Sequence, residues 1–224
     1  MLPWVHLDTA QVPGGGGELR LMQRGTEFVI MAGRIPLMNS RMSGSEEKLA
    51  TLSWDRIAGR ARPSILIGGL GMGFTLRAAL AVTPADAQIC VAELVPEIVA
   101  WARGLLAPLF AGCLDDPRVT IETSDVGGLI ARGKAAYDAI LLDVDNGPDG
   151  LSRPSNDRLY TPAGLAAARA ALRPKGVLAV WASEPDAKFT RRLQTAGYGV
   201  EDLTVRERSN GKGARHTIWV ATRA

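Results

Sequence analysis

Residues suited to ligand chemistry follow four apolar segments of this 224-residue chain. A glycine-rich stretch at 68–73 follows SILI, Glu93 ends QICVAE, and Asp125 follows VTIETS. Asp143 and Asp145 come after YDAILL. If the four segments are neighbouring parallel strands, their carboxyl ends meet at one edge of a sheet, where α/β proteins bind their ligands. The pattern therefore predicts one shared site.

The glycine-rich stretch, with Gly69, Gly71 and Gly73, lies where a predicted strand passes into a predicted helix. Glycines there let a ligand approach the backbone at a helix N-terminus, whose N–H groups and dipole favour negative or polar groups. The alternative is a tight turn that binds no ligand. A dinucleotide fingerprint needs Gly or Ala at position 74, where this chain has Phe74, so the pattern argues against NAD.

Two acids are placed to bind a nucleoside beside these glycines. Glu93 follows Gly69 by 24 residues, close to the spacing at which an acid meets adjacent ribose hydroxyls. Asp125 is placed to accept a hydrogen bond from an adenine amino group. The alternatives are a solvated acid ahead of Pro96 for Glu93 and a helix cap for Asp125. Taken together, the glycines and the two acids predict a nucleoside pocket.

Asp143 and Asp145 form the candidate catalytic pair. Carboxylates crowded at the end of a buried strand raise one another's pKa and suit cation recognition or proton removal. The alternative is a polar turn, which the sequence Asn146-Gly147-Pro148 favours. Two aromatic residues, Tyr160 and Trp181, are further candidates for the pocket wall, although such residues more often lie in a core or an interface.

The elements that must position these residues alternate after Pro63, in the order typical of βαβ units and a parallel sheet. Five parallel strands with intervening helices predict a doubly wound α/β fold. The chain then ends in a predicted antiparallel hairpin, VEDLTVRER and HTIWVATR, joined by SNGKG. This ending resembles that of the S-adenosylmethionine-type transferase fold rather than that of the dinucleotide fold.

The first part of the chain has a different pattern. ELRLMQR and EFVIMAG alternate with period two around Gly25-Thr26, which predicts a small β-hairpin region over 1–45. A helix over SEEKLATLSWDRIAGRA follows, with Ser45 as its N-cap. We therefore expect an N-terminal β appendage at 1–45 and one nucleoside-binding domain at 46–224.

Composition excludes several classes of protein. An apolar share of 46% and a charged share of 22% are those of a globular protein and argue against disorder. The formal net charge is +3, and the basic residues are scattered, so we expect no nucleic-acid partner. No apolar segment is long enough to span a bilayer, so we expect no membrane partner.

The few cysteines and histidines indicate the cellular compartment and the kind of cofactor to expect. Cys90 and Cys113 are the only cysteines, which excludes a disulfide framework and fits the cytoplasm. His6 and His216 are the only histidines, and no metal-ligand spacing occurs. We therefore expect an organic cofactor and no metal.

With these residues identified, the chain resembles the spermidine synthase family, the polyamine aminopropyltransferases, from about Leu37 to Ser183. The matching segments are GSEEKLATL, ILIGGLGMG, VAELVPEIV, VTIETSDVGGLI, YDAILLDVDNGP and LYTPAGLAAARAALRPKGVLAVWAS. Ile67, just before the glycines, follows the family's habit of an apolar residue where ordinary methyltransferases place an acid. The resemblance implies a Rossmann-like methyltransferase fold.

The same resemblance implies roles for three acids. Glu93 would bind the nucleoside ribose and Asp125 the adenine, while Asp143 would be the base facing the acceptor amine. The implied function is a transferase that alkylates a small-molecule amine from decarboxylated or intact S-adenosylmethionine. Aminopropyl transfer would leave methylthioadenosine as the product. A methyltransferase and a catalytically idle nucleoside-binding relative are the alternatives, and a homodimer is left open.

Three departures from the family pattern bear on the substrate. The family places an Asp where this chain has Gly71, a second acid where it has Asn146, and a tyrosine near Ser45. Without an acid, Gly71 would leave a helix N-terminus open to an anion. We therefore expect intact S-adenosylmethionine to bind at least as well as its decarboxylated form.

Overall fold

A computed structural model of the chain describes residues 2–144, 147–148, 156–208 and 210–224. Its larger sheet has seven strands in the order β10-β11-β9-β8-β5-β6-β7. These strands are β5 (Ser64–Gly68), β6 (Gln88–Glu93), β7 (Val119–Thr123), β8 (Tyr137–Leu142), β9 (Leu172–Ala182), β10 (Tyr198–Arg206) and β11 (Arg215–Arg223). Strands β5 to β9 pair in parallel, and β11 pairs antiparallel with β9 and β10. The predicted α/β fold with a terminal antiparallel hairpin is confirmed.

Helices connect the strands and cover both faces of the sheet. They are α1 (Gly44–Ile57), α2 (Phe74–Val82), α3 (Pro96–Arg103), α4 (Ala107–Phe110), α5 (Val126–Arg132), α6 (Asp157–Tyr160), α7 (Pro162–Ala171) and α8 (Ala187–Thr195). The central strands β5 and β8 are almost wholly buried, because a parallel sheet between two helical layers exposes neither face to solvent. Their continuous apolar sequence follows from this burial.

A buried carboxylate ties the amino ends of these central strands together. Asp138 in β8 accepts hydrogen bonds from Arg60 at 2.6 Å, from Arg173 at 2.7 Å and from the Ser64 N–H at 2.8 Å. Two guanidinium groups and one backbone donor compensate for the burial of the charge. The cluster lies at the sheet edge opposite the carboxyl ends of the strands.

The N-terminal region holds four strands, where the sequence predicts one hairpin. These strands, β1 (Val5–Gln11), β2 (Glu18–Arg24), β3 (Glu27–Ala32) and β4 (Ile35–Asn39), form an antiparallel sheet in sequential order. The segments VHLDTAQ and IPLMN were not predicted as strands, because their period-two alternation is weak and Pro36 interrupts the second. This N-terminal sheet packs against the larger domain, where Trp101 Nε1 donates to Asp8 at 2.7 Å.

The start of α1 differs from the prediction. Its N-cap is Ser43, and Ser45 lies inside the first turn, where its side chain is buried. Ser43 donates a hydrogen bond to Glu47 at 2.7 Å. The prediction chose the wrong serine, because both precede the same acids and apolar residues. Within the described residues, no helix is both long and apolar enough to cross a membrane.

Candidate active site

One cavity lies at the carboxyl ends of β5, β6 and β8, between this edge of the sheet and the N-terminal sheet. The structure brings together in its lining five of the residues predicted from sequence, Gly69, Gly71, Glu93, Asp125 and Asp143. An apolar wall comes from the N-terminal sheet and contains Leu19, Ile30, Leu37 and Met38. The N-terminal sheet therefore forms part of the site.

The glycine loop packs too closely for side chains. Gly69 has a φ of +92°, and a Cβ there would lie 2.3 Å from the carbonyl oxygen of Asp143. Its N–H donates to the Ala92 carbonyl at 2.9 Å. Gly73 is the N-cap of α2 and would place a Cβ 2.5 Å from the Phe110 ring. It is not among the described residues that line the cavity, and its contact with a cofactor stays a prediction.

Met38 occupies the space above Gly71. A Cβ on Gly71 would lie 2.6 Å from Met38 Cε, and the Met72 N–H donates to Met38 Sδ at 3.0 Å. The sequence predicts that Gly71 leaves the loop open to an anion, and in the structure a thioether already accepts from the loop. The prediction missed this contact because Met38 is distant in sequence and lies on an unpredicted strand.

Glu93 holds the end of β6 to the glycine loop. One carboxylate oxygen accepts from the Leu70 N–H and the other from the Val95 N–H, both at 2.9 Å. The residue is only 6% exposed. Each carboxylate oxygen can accept a second hydrogen bond, so these contacts are compatible with hydroxyl donors from a ligand. Ribose binding by Glu93 stays a prediction.

Asp125 has two partners of its own. It is the N-cap of α5, where its Oδ1 accepts from the Gly127 N–H at 2.7 Å, as the capping alternative predicts. Its Oδ2 accepts from Arg158, which lies on α6. An adenine amino group would have to share this carboxylate with the guanidinium. Adenine binding by Asp125 stays a prediction.

Asp143 follows β8 at the bottom of the cavity. Burial raises the pKa of its carboxyl group to about 6, against a hydrogen bond from Thr75 that lowers it. The Thr75 hydroxyl donates to Asp143 Oδ2 at 2.8 Å. A carboxylate with this pKa can take a proton from an ammonium group near neutral pH. Asp145, its predicted catalytic partner, and Asn146 lie outside the described residues.

Sequence reasoning missed Glu46, the fourth acid among the described residues of the cavity lining. Burial, and to a smaller extent the neighbouring charge of Asp143, raise its pKa to about 7. The helical spacing of Glu46 with the buried residues Leu49, Ser53 and Ile57 places it on the inward face of α1. That spacing was the available signal, but acids in a first helical turn are ordinarily explained by the helix dipole.

A chain of hydrogen bonds leads away from Glu46. The Ser45 hydroxyl donates to Glu46 Oε2 at 2.6 Å, and Nδ1 of His216 lies 2.9 Å from the same hydroxyl oxygen. Because the hydroxyl proton points to the carboxylate, the ring nitrogen is the donor of the second bond. The His216 ring packs edge-on against Trp181, with centroids 4.8 Å apart.

The two aromatic residues predicted for the pocket wall lie in different parts of the structure. Trp181 lines the cavity, whereas Tyr160 is buried in the core, in edge contact with Phe189 at 5.6 Å. In the described part of the chain, no three His, Cys, Asp or Glu side chains are close enough to hold a metal ion.

Comparison with known proteins gives relatives in sequence and in structure. No protein-family model matches the chain. The polyamine aminopropyltransferase of Mycobacterium tuberculosis strain H37Rv is 31% identical over 159 residues, covering 67% of this chain and 29% of that protein. The chain therefore spans less than a third of the length of this curated relative.

Solved structures match over almost the whole chain. The spermidine synthase of Thermotoga maritima matches with a TM-score of 0.77 at 18% identity. The match covers 98% of this chain and 73% of the spermidine synthase chain. A spermidine synthase in complex with the transition-state analogue AdoDATO matches with a TM-score of 0.76 at 18% identity. That match covers 98% of this chain and 72% of the other chain. At this identity the likeness concerns the fold.

Proposed function

We propose that this protein is an enzyme that transfers an aminopropyl group to a small-molecule amine. The proposal starts from its relation in sequence to the polyamine aminopropyltransferases and from its spermidine synthase-like, methyltransferase-type fold. The donor is decarboxylated S-adenosylmethionine, and methylthioadenosine is the product. The observation that carries the proposal is the partly buried carboxylate of Asp143, with its raised pKa, in the same cavity as the glycine loop and Glu93.

The reaction requires little covalent work from the protein. The amine nitrogen attacks the carbon next to the sulfonium sulfur, a C–N bond forms, the C–S bond breaks, and its electron pair stays on sulfur. The positive charge therefore passes from sulfur to nitrogen. What remains for the protein is to align the nitrogen with that carbon, to keep the nitrogen unprotonated and to exclude water.

The chain's residues can be assigned to these tasks. Asp143 takes a proton from the acceptor's ammonium group, because its raised pKa makes the protonated form accessible near neutral pH. Thr75 fixes the orientation of the carboxylate through its hydrogen bond. The apolar wall from the N-terminal sheet keeps water from the reacting carbon. Glu93 and Asp125 bind the ribose and the adenine at the other end of the donor.

The test is turnover of decarboxylated S-adenosylmethionine with 1,4-diaminobutane, followed by chromatography of methylthioadenosine. Asp143→Asn keeps the shape of the side chain and removes the base, so we expect kcat to fall on the order of 100-fold or more. Asp55→Asn, at an exposed position of α1, is the matched control and should retain activity.

Three results would argue against the proposal. Turnover within a few-fold of wild type in Asp143→Asn would make the residue structural. S-adenosylhomocysteine from intact S-adenosylmethionine, without methylthioadenosine, would identify a methyltransferase instead. Methylthioadenosine binding without turnover on any amine would identify a nucleoside-binding relative. A cytoplasmic location, a homodimer and the lack of nucleic-acid or membrane partners stay predictions.

A further inference from the structure

We infer that Glu46 is a specificity-determining residue of the acceptor site, where it and Asp143 together bind an amino group in its cationic form. The inference rests on the proposed function and adds a residue that the sequence did not reveal. It selects acceptors that are cationic and carry no carboxylate, such as diamines and longer polyamines.

The charge balance of the cavity is the first argument. Among the described residues of its lining, four are acids and none is lysine, arginine or histidine. Asp125 is paired with Arg158, and Glu93 accepts from two backbone N–H groups. For Glu46 and Asp143, no ion pair is found within the described part of the chain. Both carboxylates are partly buried. A desolvated carboxylate without a counter-charge is costly, and a cationic ligand would supply one.

The geometry around Thr75 is the second argument, because it links the two carboxylate-bearing segments. The Thr75 hydroxyl donates to Asp143 Oδ2 at 2.8 Å and lies 3.4 Å from the backbone carbonyl of Glu46. One side chain thus contacts both the end of β8 and the first turn of α1. An ammonium group has three N–H donors, which is enough to reach both carboxylates at once.

The orientation of Glu46 is the third argument. Ser45 is fully buried and donates to Glu46 Oε2 at 2.6 Å, and His216 donates to Ser45 in turn. Trp181 packs against the His216 ring and fixes its plane. A carboxylate held in this way binds a cation without first losing side-chain entropy. Ser45 and His216 are therefore positioning residues that act through Glu46.

The two carboxylates divide the work on one amino group. The acceptor enters as an ammonium ion, Asp143 takes one proton, and Glu46 accepts a hydrogen bond from a remaining N–H. The freed lone pair then attacks the donor carbon, as described above. The oxygen atoms of Glu46 form no covalent bond. An acceptor that carries a carboxylate near the amine would be repelled by both acids.

Calorimetric titration of 1,4-diaminobutane into protein saturated with methylthioadenosine tests the site without requiring turnover. Glu46→Gln keeps the shape and removes the charge, and we expect it to weaken the affinity about tenfold or more. Glu47→Gln removes the neighbouring charge of the same helical turn from outside the cavity lining, and we expect it to leave the affinity unchanged. In steady-state assays, Glu46→Gln should raise KM for the diamine far more than it lowers kcat.

His216 gives a matched pair of variants. His216→Asn keeps an N–H donor near the position of Nδ1 and should retain diamine affinity, whereas His216→Leu removes the donor and should weaken it several-fold. A purely structural role would instead lower the melting temperature of both without this split. The same titration with 4-aminobutanoate, which adds a carboxylate, should show no binding to wild type.

Each outcome bears on the inference. Equal diamine affinity in wild type and Glu46→Gln overturns it, as does the absence of diamine binding by the wild-type protein or equal losses in Glu46→Gln and Glu47→Gln. Diamine binding that depends on Glu46 supports it. If that binding occurs without aminopropyl transfer, the acceptor site stands and the proposed function fails.

Discussion

Replacing Glu46 by glutamine is expected to stabilise the protein at pH 8 and to have progressively less effect as the pH falls. The glutamine side chain keeps an acceptor oxygen for the Ser45 hydroxyl, so the main change is the loss of a buried charge. In the wild-type protein this charge lies in a desolvated position near Asp143. Ionising it there costs free energy that the unfolded chain does not have to supply.

The size and sign of the effect follow from the pKa of Glu46, which burial raises from an ordinary value of 4.5 to about 7. A carboxyl group with a raised pKa contributes stability that is complete below its unfolded pKa and is lost as the pH rises through the folded one. For these values the wild-type protein loses about 2 to 3 kcal/mol, relative to the variant, between pH 5 and pH 8.

The assay is urea-induced unfolding of the wild type and Glu46→Gln at several values between pH 5 and pH 8. Contributions from groups that do not interact with Glu46 cancel in the difference between the two proteins, and Glu47→Gln controls for the removal of one charge from the same helical turn. A difference that is constant across this range, or that shrinks as the pH rises, would show that Glu46 is not desolvated and would refute the reasoning.

Two further predictions concern other parts of the molecule. Asp138→Asn leaves two arginines without their buried counter-charge and is expected to lower the free energy of unfolding by about 3 kcal/mol in urea titrations. The affinity for methylthioadenosine should be unchanged, because the cluster lies at the opposite sheet edge. Gly71→Asp places a side chain at a φ of +50°, so this variant and its double variant with Met38→Ala, which clears the space above position 71, are both expected to fold less stably than the wild type. In calorimetry that double variant should favour decarboxylated over intact S-adenosylmethionine, because the added carboxylate attracts an ammonium group and repels a carboxylate; an unchanged preference would contradict this.

The sequence predicted the parts of the site that depend on local order along the chain. Gly69 and Asp143 each follow an apolar strand and Glu93 ends one, and parallel pairing of those strands places their ends at one edge. Asp125 was predicted with a capping alternative, and the structure shows the cap. These predictions needed only strand order and spacing.

Contacts between distant segments were not predictable in this way. Met38 reaches the glycine loop from an edge strand with weak alternation, and His216 reaches Ser45 across 171 residues. Glu46 lies on the inward face of its helix, but a first-turn acid has a sufficient explanation in the helix dipole. Tertiary packing decides which of two adjacent acids faces a cavity, and a single sequence does not contain that information.

The contact of Met38 with Gly71 limits how this protein can change by recombination. The N-terminal sheet meets the glycine loop at Met38, where the thioether fills the volume that a side chain at position 71 would need. Exchanging the N-terminal sheet for that of a protein with an acid in its glycine loop would combine a residue 38 and a residue 71 from different parents, whose side chains do not fit together. Residues 38 and 71 are therefore expected to be inherited as a pair, and a chimera is expected to require both from the same parent.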